Sequence, residues 1–251
     1  MLTLLFTIVV TLQDPPPQGG APATPAAPVA AEPMPLAAVD DKAAKAAVDT
    51  FNKAAKGKRS MNERMKAVEE LAQGANKAFV KPLVGVAEND ESLVVRKRAV
   101  VLLSLQPAPE APRALRTLLK SKKVEAAPAV LAEVVSGIAR SGYDTTMWPD
   151  IEPLFGSDYA AERVGLQEAI LALVTKHKEH KAAKLLLDNL DEPIPADEHD
   201  PSNPPAEYWK ARWYAWKAWR EKVKEALFAL TGQRFSTAAE AKAWLDKNKR
   251  K

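Results

Sequence analysis

The chain has 251 residues, a formal net charge of +4 and 47% apolar residues, enough to bury a core in one or two domains. It holds no cysteine, which excludes disulfides, thiolate nucleophiles, iron–sulfur clusters and cysteine-ligated zinc. The first 41 residues carry four acids (Asp14, Glu32, Asp40, Asp41) and no Lys or Arg, so the remainder is four units more basic than the whole, at +8. That balance suits an acidic partner, and equally a lysine-rich surface that keeps the protein dissolved.

The chain opens on an apolar run, "MLTLLFTIVVTLQ", over residues 1–13. It is shorter than the roughly 20 apolar residues that span a bilayer. It suits the apolar region of a secretory signal, although no Lys or Arg precedes it and the first small-x-small site is Ala21-Pro22-Ala23. Export to the periplasm, the cell surface or the medium is the expectation, with no stable membrane span in the mature chain. A membrane tether through residues 1–13 is the alternative. A lipid-bearing anchor is excluded, because it needs a cysteine. Residues 14–38 read as a disordered linker: Asp14–Pro35 alone holds 8 of the 20 prolines, and proline removes backbone donors and blocks the preceding helical turn.

From residue 39 to 190 the apolar spacing is helical, with no β alternation. Helices are predicted over roughly 40–56, 61–73, 76–88, 92–105, 110–121, 125–140, 147–155, 160–177 and 179–190. The connections are short, so neighbours should form antiparallel hairpins. A repeat runs through them. Arg64, Arg96, Pro128 and Arg163 lie 32, 32 and 35 residues apart, and seven positions after each stands an apolar residue: Leu71, Leu103, Val135 and Ile170. One position further come Ala72, Ser104, Ser136 and Leu171. A helix pair recurring at this period is the signature of an α-solenoid, in which stacked neighbours share a continuous core.

The early arginine, the small residues along the first helix and the prolines Pro82, Pro112 and Pro153 near the start of second helices resemble HEAT-type repeats. Pro128 departs from the arginine pattern. The resemblance implies an all-α fold: an α-solenoid of HEAT-like antiparallel helix pairs, with four units expected.

A proline-rich loop over residues 191–207 interrupts the repeats. The C-terminal segment, residues 208–251, begins with "YWKARWYAWKAWREKVKEALFAL", which holds four of the six tryptophans. With Trp209 at zero on a helical wheel, Trp213 falls near 40°, Trp216 near −20° and Trp219 near −80°, at about 100° per residue. Val223, Leu227 and Leu230 extend the same stripe, which makes one wide apolar face. A nucleic-acid stacking platform would be exposed and interleaved with cations. Indoles merging into an aliphatic stripe read instead as a core face, here a capping helix over one end of the repeats. The acids mixed into the polar face argue against a membrane-surface helix. Arg212, Trp219 and Arg220, on or beside the stripe, are the candidate partner-binding residues, with Trp209 as a second exposed indole to consider. The ending "ALTGQRFSTAAEAKAWLDKNK" resembles the close of secreted bacterial HEAT-repeat proteins, through Thr231, Gly232, Gln233, Phe235, Trp244 and Leu245. Gly232 is placed to end the long helix, and Ser236 or Thr237 to cap the next, with Glu240 in its first turn.

No catalytic constellation is present: there is no glycine-rich phosphate loop, nucleophile elbow or Ser/His/Asp spacing. No catalytic residue, cofactor or metal site is assigned. His177 and His180 could share a metal, but their lysine-rich surroundings oppose a cation. "ADEHD", residues 196–200, lacks the turn glycine of a calcium loop and reads as a solvated acidic segment. Basic runs at residues 56–60, 96–98, 120–123 and 248–251 are scattered over the repeats. The expectation is a non-enzymatic protein-binding or scaffolding module of the bacterial envelope, with another protein as partner. A basic groove for nucleic acid is the alternative. A polysaccharide- or metal-dependent envelope role through residues 196–200 is the third reading.

Overall fold

The computed structural model describes residues 34–54, 59–156, 159–195 and 200–248. The apolar leader at 1–13, the 14–33 part of the linker, the 196–199 part of the acidic segment with His199, and the ends of the basic runs at 56–58 and 249–251 lie outside them. The helices are α1 (Asp41–Ala54), α2 (Met61–Leu71), α3 (Val80–Asn89), α4 (Leu93–Ser104), α5 (Glu110–Leu119), α6 (Lys122–Glu125), α7 (Pro128–Ser141), α8 (Trp148–Ile151), α9 (Pro153–Gly156), α10 (Val164–His177), α11 (Ala183–Asp188), α12 (Ala206–Thr231) and α13 (Ala238–Asn248). Single 3-10 turns lead into α3, α8, α10 and α11. The fold is all-α, and the described residues contain no strand.

Local chemistry sets the boundaries. Ser60 opens α2 with a reciprocal capping box: its Oγ accepts from the Glu63 N–H, and the Glu63 carboxylate accepts from the Ser60 N–H at 2.8 Å. The helix expected over 125–140 begins only at Pro128, as α7, and Glu125 is the last residue of the separate short helix α6. Pro128 begins α7 and forces Ala127 to φ −128°, ψ 81°, outside the helical region. Backbone order also begins ahead of residue 39. Val39 N–H donates to Ala75 O at 3.1 Å, Ala75 N–H donates to Ala37 O at 2.8 Å, and the Asn76 amide donates to Val39 O at 2.8 Å. Gly74 makes this approach possible, since a Cβ there would stand 2.1 Å from the Val39 side chain.

Packing proceeds stepwise along the chain. Helix α2 lies on α4, α4 on α7, α7 on α10 and α10 on α12, while α3 packs on α4 and α5 on both α4 and α7. Leu71, Leu103, Val135 and Ile170, the residues matched by the repeat, are all buried at 2% exposure or less. Each such side chain contributes about 1.5–3 kcal/mol by leaving water. Gly137 lets α7 approach closely: a Cβ there would stand 3.2 Å from Leu115 and 3.3 Å from Ser104.

The repeated arginines have a physical task that spacing alone did not reveal. The last carbonyls of a helix have no partner within it. Arg96 Nε donates to Ala87 O at the end of α3 (2.7 Å), and its Nη2 donates to Lys123 O in α6 (2.9 Å). Arg163 Nη2 donates to Leu154 O in α9 at 3.2 Å. In both cases the acceptor lies nine residues upstream. Arg64 instead bonds the Asp90 carboxylate, at the end of α3, from Nε at 2.9 Å. Where Pro128 replaces the arginine, the end of α5 is closed by backbone: Lys120 N–H to Thr117 O at 3.1 Å and Ser121 N–H to Leu118 O at 3.0 Å.

Arg96 is buried, and its loss would strand carbonyls on two helices. We predict that Arg96→Met lowers unfolding stability by about 3 kcal/mol, the scale of losing charge-assisted hydrogen bonds in the interior. Arg98→Met, two residues on, removes a half-exposed ion pair to Glu69 and should cost under about 1 kcal/mol. Urea unfolding of the two variants checks this, and equal losses would contradict it.

Candidate binding surface on helix α12

Helix α12 starts after Pro205 and stops at Gly232, whose φ of 70° turns the chain left-handed while its N–H donates to Phe228 O at 2.8 Å. Thr237 Oγ1 accepts from the Glu240 N–H at 3.2 Å, which starts α13, and Phe235 sits 5.9 Å from the Trp244 ring. The body of α12 packs against α10 and α11.

The centre of this contact is Trp219. It has no exposure, its Nε1–H donates to Gln167 Oε1 at 3.0 Å, and the Phe155 ring meets it edge-on at 5.1 Å. Gln167 is also unexposed and donates from Nε2 to Phe155 O at 3.0 Å. Trp219 therefore offers no surface to a partner, which corrects its place among the candidate binding residues. The reason is geometric. The buried residues of α12 include Ala215 and Ala226 besides Trp216, Trp219, Val223 and Leu227. They shift the inward arc by about 40° from the stripe read off the tryptophans. Alanine adds little to a hydrophobic count, yet it marks the side of the helix that has no room.

The same rotation leaves other aromatics on the flank. Trp209 and Trp213 are half-buried, and Tyr214 is 58% exposed. The flank indoles and the buried Trp216 each have a cation over the ring: Arg212 lies 5.7 Å from Trp209, Lys217 5.0 Å from Trp213 and Arg220 5.1 Å from Trp216. Trp213 also donates from Nε1 to the Glu192 carboxylate. Arg220 has a second, exposed partner in Glu221 at 3.5 Å. Arg212 differs. It is half-buried, lies 5.5 Å from the Tyr159 ring as well as near Trp209, and has no carboxylate or hydrogen-bond acceptor among the described residues. Burial pushes the Tyr159 hydroxyl above its ordinary pKa, with Arg212 pulling the other way.

Two clefts meet around Tyr159. One, of about 370 Å³, lies between α9, α11 and α12, with Phe155, Leu185 and Asn189 in its lining and Glu152, Asp188, Lys184 and Arg212 as its charges. The other, of about 580 Å³, is mainly apolar and is lined by Tyr159, Ala160, Val164, Ala211 and Tyr214. Sequence reasoning found Arg212 and Arg220 but missed Tyr159 and Glu152. Both stand between helices, Tyr159 and Glu152 lying 53 and 60 residues ahead of Arg212, and no single-helix pattern could connect them.

The remaining candidates have structural occupations. His177 Nε2 lies 3.0 Å from Ala139 O and its ring 4.9 Å from Tyr143, while His180 is exposed. Glu179, between them, is buried and accepts from the Tyr143 hydroxyl at 2.5 Å and from the Lys181 N–H at 2.9 Å. Asp200, the described end of the acidic segment, accepts from Ser202. Among the described residues no three His, Asp or Glu side chains gather as a metal cage, and no helix is long and apolar enough to cross a membrane. The basic runs are partly neutralised within the chain: Lys120 pairs with Asp150 at 3.0 Å, Arg98 with Glu69 at 3.1 Å, and Arg96 is buried on carbonyls.

Burial acts most strongly on Glu179 and pushes its pKa up. The hydrogen bonds from Tyr143, Thr145 and Lys181 together outweigh it and hold the carboxyl below its ordinary 4.5. A lowered folded value means that the stabilisation is complete above the unfolded value and is lost as pH falls through the folded one. The urea midpoint should therefore fall on acidification below about pH 4.5, and Glu179→Gln should flatten that part of the profile. A profile unchanged by the substitution would contradict the assignment.

Comparison of the chain with protein-family models, with curated proteins and with solved structures gives no match, so its functional reading rests on its own residues and their geometry.

Proposed function

We propose that this chain is an exported, non-enzymatic protein-binding or scaffolding module of the bacterial envelope, built as a HEAT-like α-solenoid whose C-terminal end is closed by the tryptophan-rich helix α12. The stepwise contact of α2, α4, α7, α10 and α12 supports the solenoid, as do the equivalent carbonyl-capping roles of Arg96 and Arg163. The apolar run at residues 1–13 and the proline-rich stretch behind it support export.

One observation carries the binding role: α12 sets an apolar cleft of about 580 Å³ beside an exposed Tyr214. Tyrosine supplies apolar contact area with a polar tip, which suits a protein interface. The pairing of Lys120 and Arg98 with acids of the same chain favours this reading over a basic groove for a phosphate backbone.

A photo-crosslinking residue in place of Tyr214 should trap a discrete envelope protein. Tyr214→Ser should weaken capture of that protein at least tenfold, or about 1.4 kcal/mol. Fractionation and the mass of the mature N-terminus should show an exported chain without its apolar run. A chain retained in the cytosol with the run intact, binding DNA or RNA in a steeply salt-dependent way, would contradict the proposal.

A further inference from the structure

We propose that the cleft between α9, α11 and α12 receives a carboxylate of a peptide, held by the guanidinium of Arg212. This deepens the protein-binding reading above and rests on it, because it names the chemistry that the partner presents.

The argument starts from an uncompensated charge. Arg212 projects from the inward side of α12, near its N-terminal end, and is half-buried. A charge drawn out of water is costly unless it is paired and hydrogen-bonded. The central Trp219 of α12 is bonded to Gln167, and Trp213 on the flank to Glu192, whereas the Trp209 and Trp216 N–H groups are buried without a hydrogen-bond acceptor among the described residues. Arg212 has only aromatic faces, Tyr159 at 5.5 Å and Trp209 at 5.7 Å. Ring faces attract the cation but supply no acceptor for its five N–H groups. Stacking fixes the plane of a guanidinium, and a fixed planar fork matches a carboxylate with two parallel hydrogen bonds. The site is thus ordered in advance and lacks one component, a planar anion.

The cleft beside Arg212 selects which anion. Its volume of about 370 Å³ holds one or two residues of a peptide, and Phe155 and Leu185 give it apolar walls. Its acids limit the charge it tolerates. Asp188 is engaged by Lys184. Glu152 has no ion-pair partner among the described residues and lies close enough to Lys184 to act on it electrostatically. A dianionic phosphate would face Glu152 across a small space, whereas a carboxylate brings one negative charge and lets Glu152 take an N–H or an ammonium from the same ligand. The wall chemistry therefore favours an apolar peptide with one carboxylate over a phosphorylated one. The carboxylate could be a chain terminus or an Asp or Glu side chain; the chemistry is shared, and the experiment separates the two.

The test uses the full chain and arrays of immobilised hexapeptides of apolar composition in four forms. These have a free C-terminal carboxylate, a C-terminal amide with one internal Glu, a C-terminal amide without acids, and a C-terminal amide with phosphoserine. Binding should appear on the first or the second form, which identifies the source, and be absent from the third. Arg212→Gln should weaken it at least tenfold and Arg212→Lys, which keeps the charge without the fork, by an intermediate factor. Arg113→Gln, an exposed arginine elsewhere, should leave it unchanged. Unaltered circular dichroism and melting of Arg212→Gln would show that the fold persists. The proposal is overturned by equal binding of acid-free peptides, by preference for phosphoserine, by no binding to any form, or by full binding in a folded Arg212→Gln. Capture of the envelope partner separates the two readings. A partner retained equally by Arg212→Gln and the parent protein removes the carboxylate site and leaves the protein-binding role. The absence of any partner removes that role itself.

Discussion

One hydrogen-bonded chain through the interior fixes the C-terminal half of this protein: Trp219 Nε1–H to Gln167, and Gln167 to the carbonyl of Phe155. It joins α12 to α10 across 52 residues of sequence, and α10 to the neighbouring α9. All the polar atoms concerned are out of contact with water, so each must find its partner inside. The arrangement therefore tolerates one rotation of α12 about its axis. A turn of even one residue would point the indole N–H at aliphatic neighbours and leave Gln167 short of a partner, at about 1–3 kcal/mol per unsatisfied group.

That rotation determines what the surface can do. With Trp219 inward, Ala215 and Ala226 also face the body, and Trp209, Trp213 and Tyr214 come to the flank. Cations then cover the indoles: Arg212, Lys217 and Arg220 each take a ring face. The dense mixture of Trp with Lys and Arg follows from this division of one helix between a core and a rim. Trp216 and Trp219 are buried against the body, while Arg212 lines one cleft beside Tyr159 and Ala211 and Tyr214 line the other. Both the proposed partner surface and the proposed carboxylate site depend on the register set by Gln167.

Much of the architecture was legible in the sequence because it rests on local rules. Helical periodicity located the helices, Gly232 marked the end of α12, and the residues seven after Arg64, Arg96, Pro128 and Arg163 are buried as their spacing required. Pro128 was misjudged at short range. The spacing places it inside a helix begun at residue 125, whereas its missing N–H and its effect on Ala127 start a new one. The candidate site was legible only in part. Arg212 and Arg220 stood out beside the indoles, but Trp219 was assigned to both core and surface, since a wheel built on tryptophans gives alanine no weight. Tyr159, Glu152 and Gln167 carry no motif. Their importance comes from tertiary proximity to α12, which a sequence of this kind does not encode at fixed spacing. The arginine repeat was visible as a pattern, whereas its cause, unpartnered helix-end carbonyls, required the packing.

The most direct test of this account is a double-mutant cycle on the interior bond that fixes α12. Trp219→Phe, Gln167→Leu and the double variant are compared by urea unfolding. The account predicts that each single change is destabilising and that the double variant is more stable than the sum of the two predicts, with a coupling of about 1–2 kcal/mol. Strictly additive losses, or a Trp219→Phe variant as stable as the parent, would show that α12 is not held in the register described and would contradict the account.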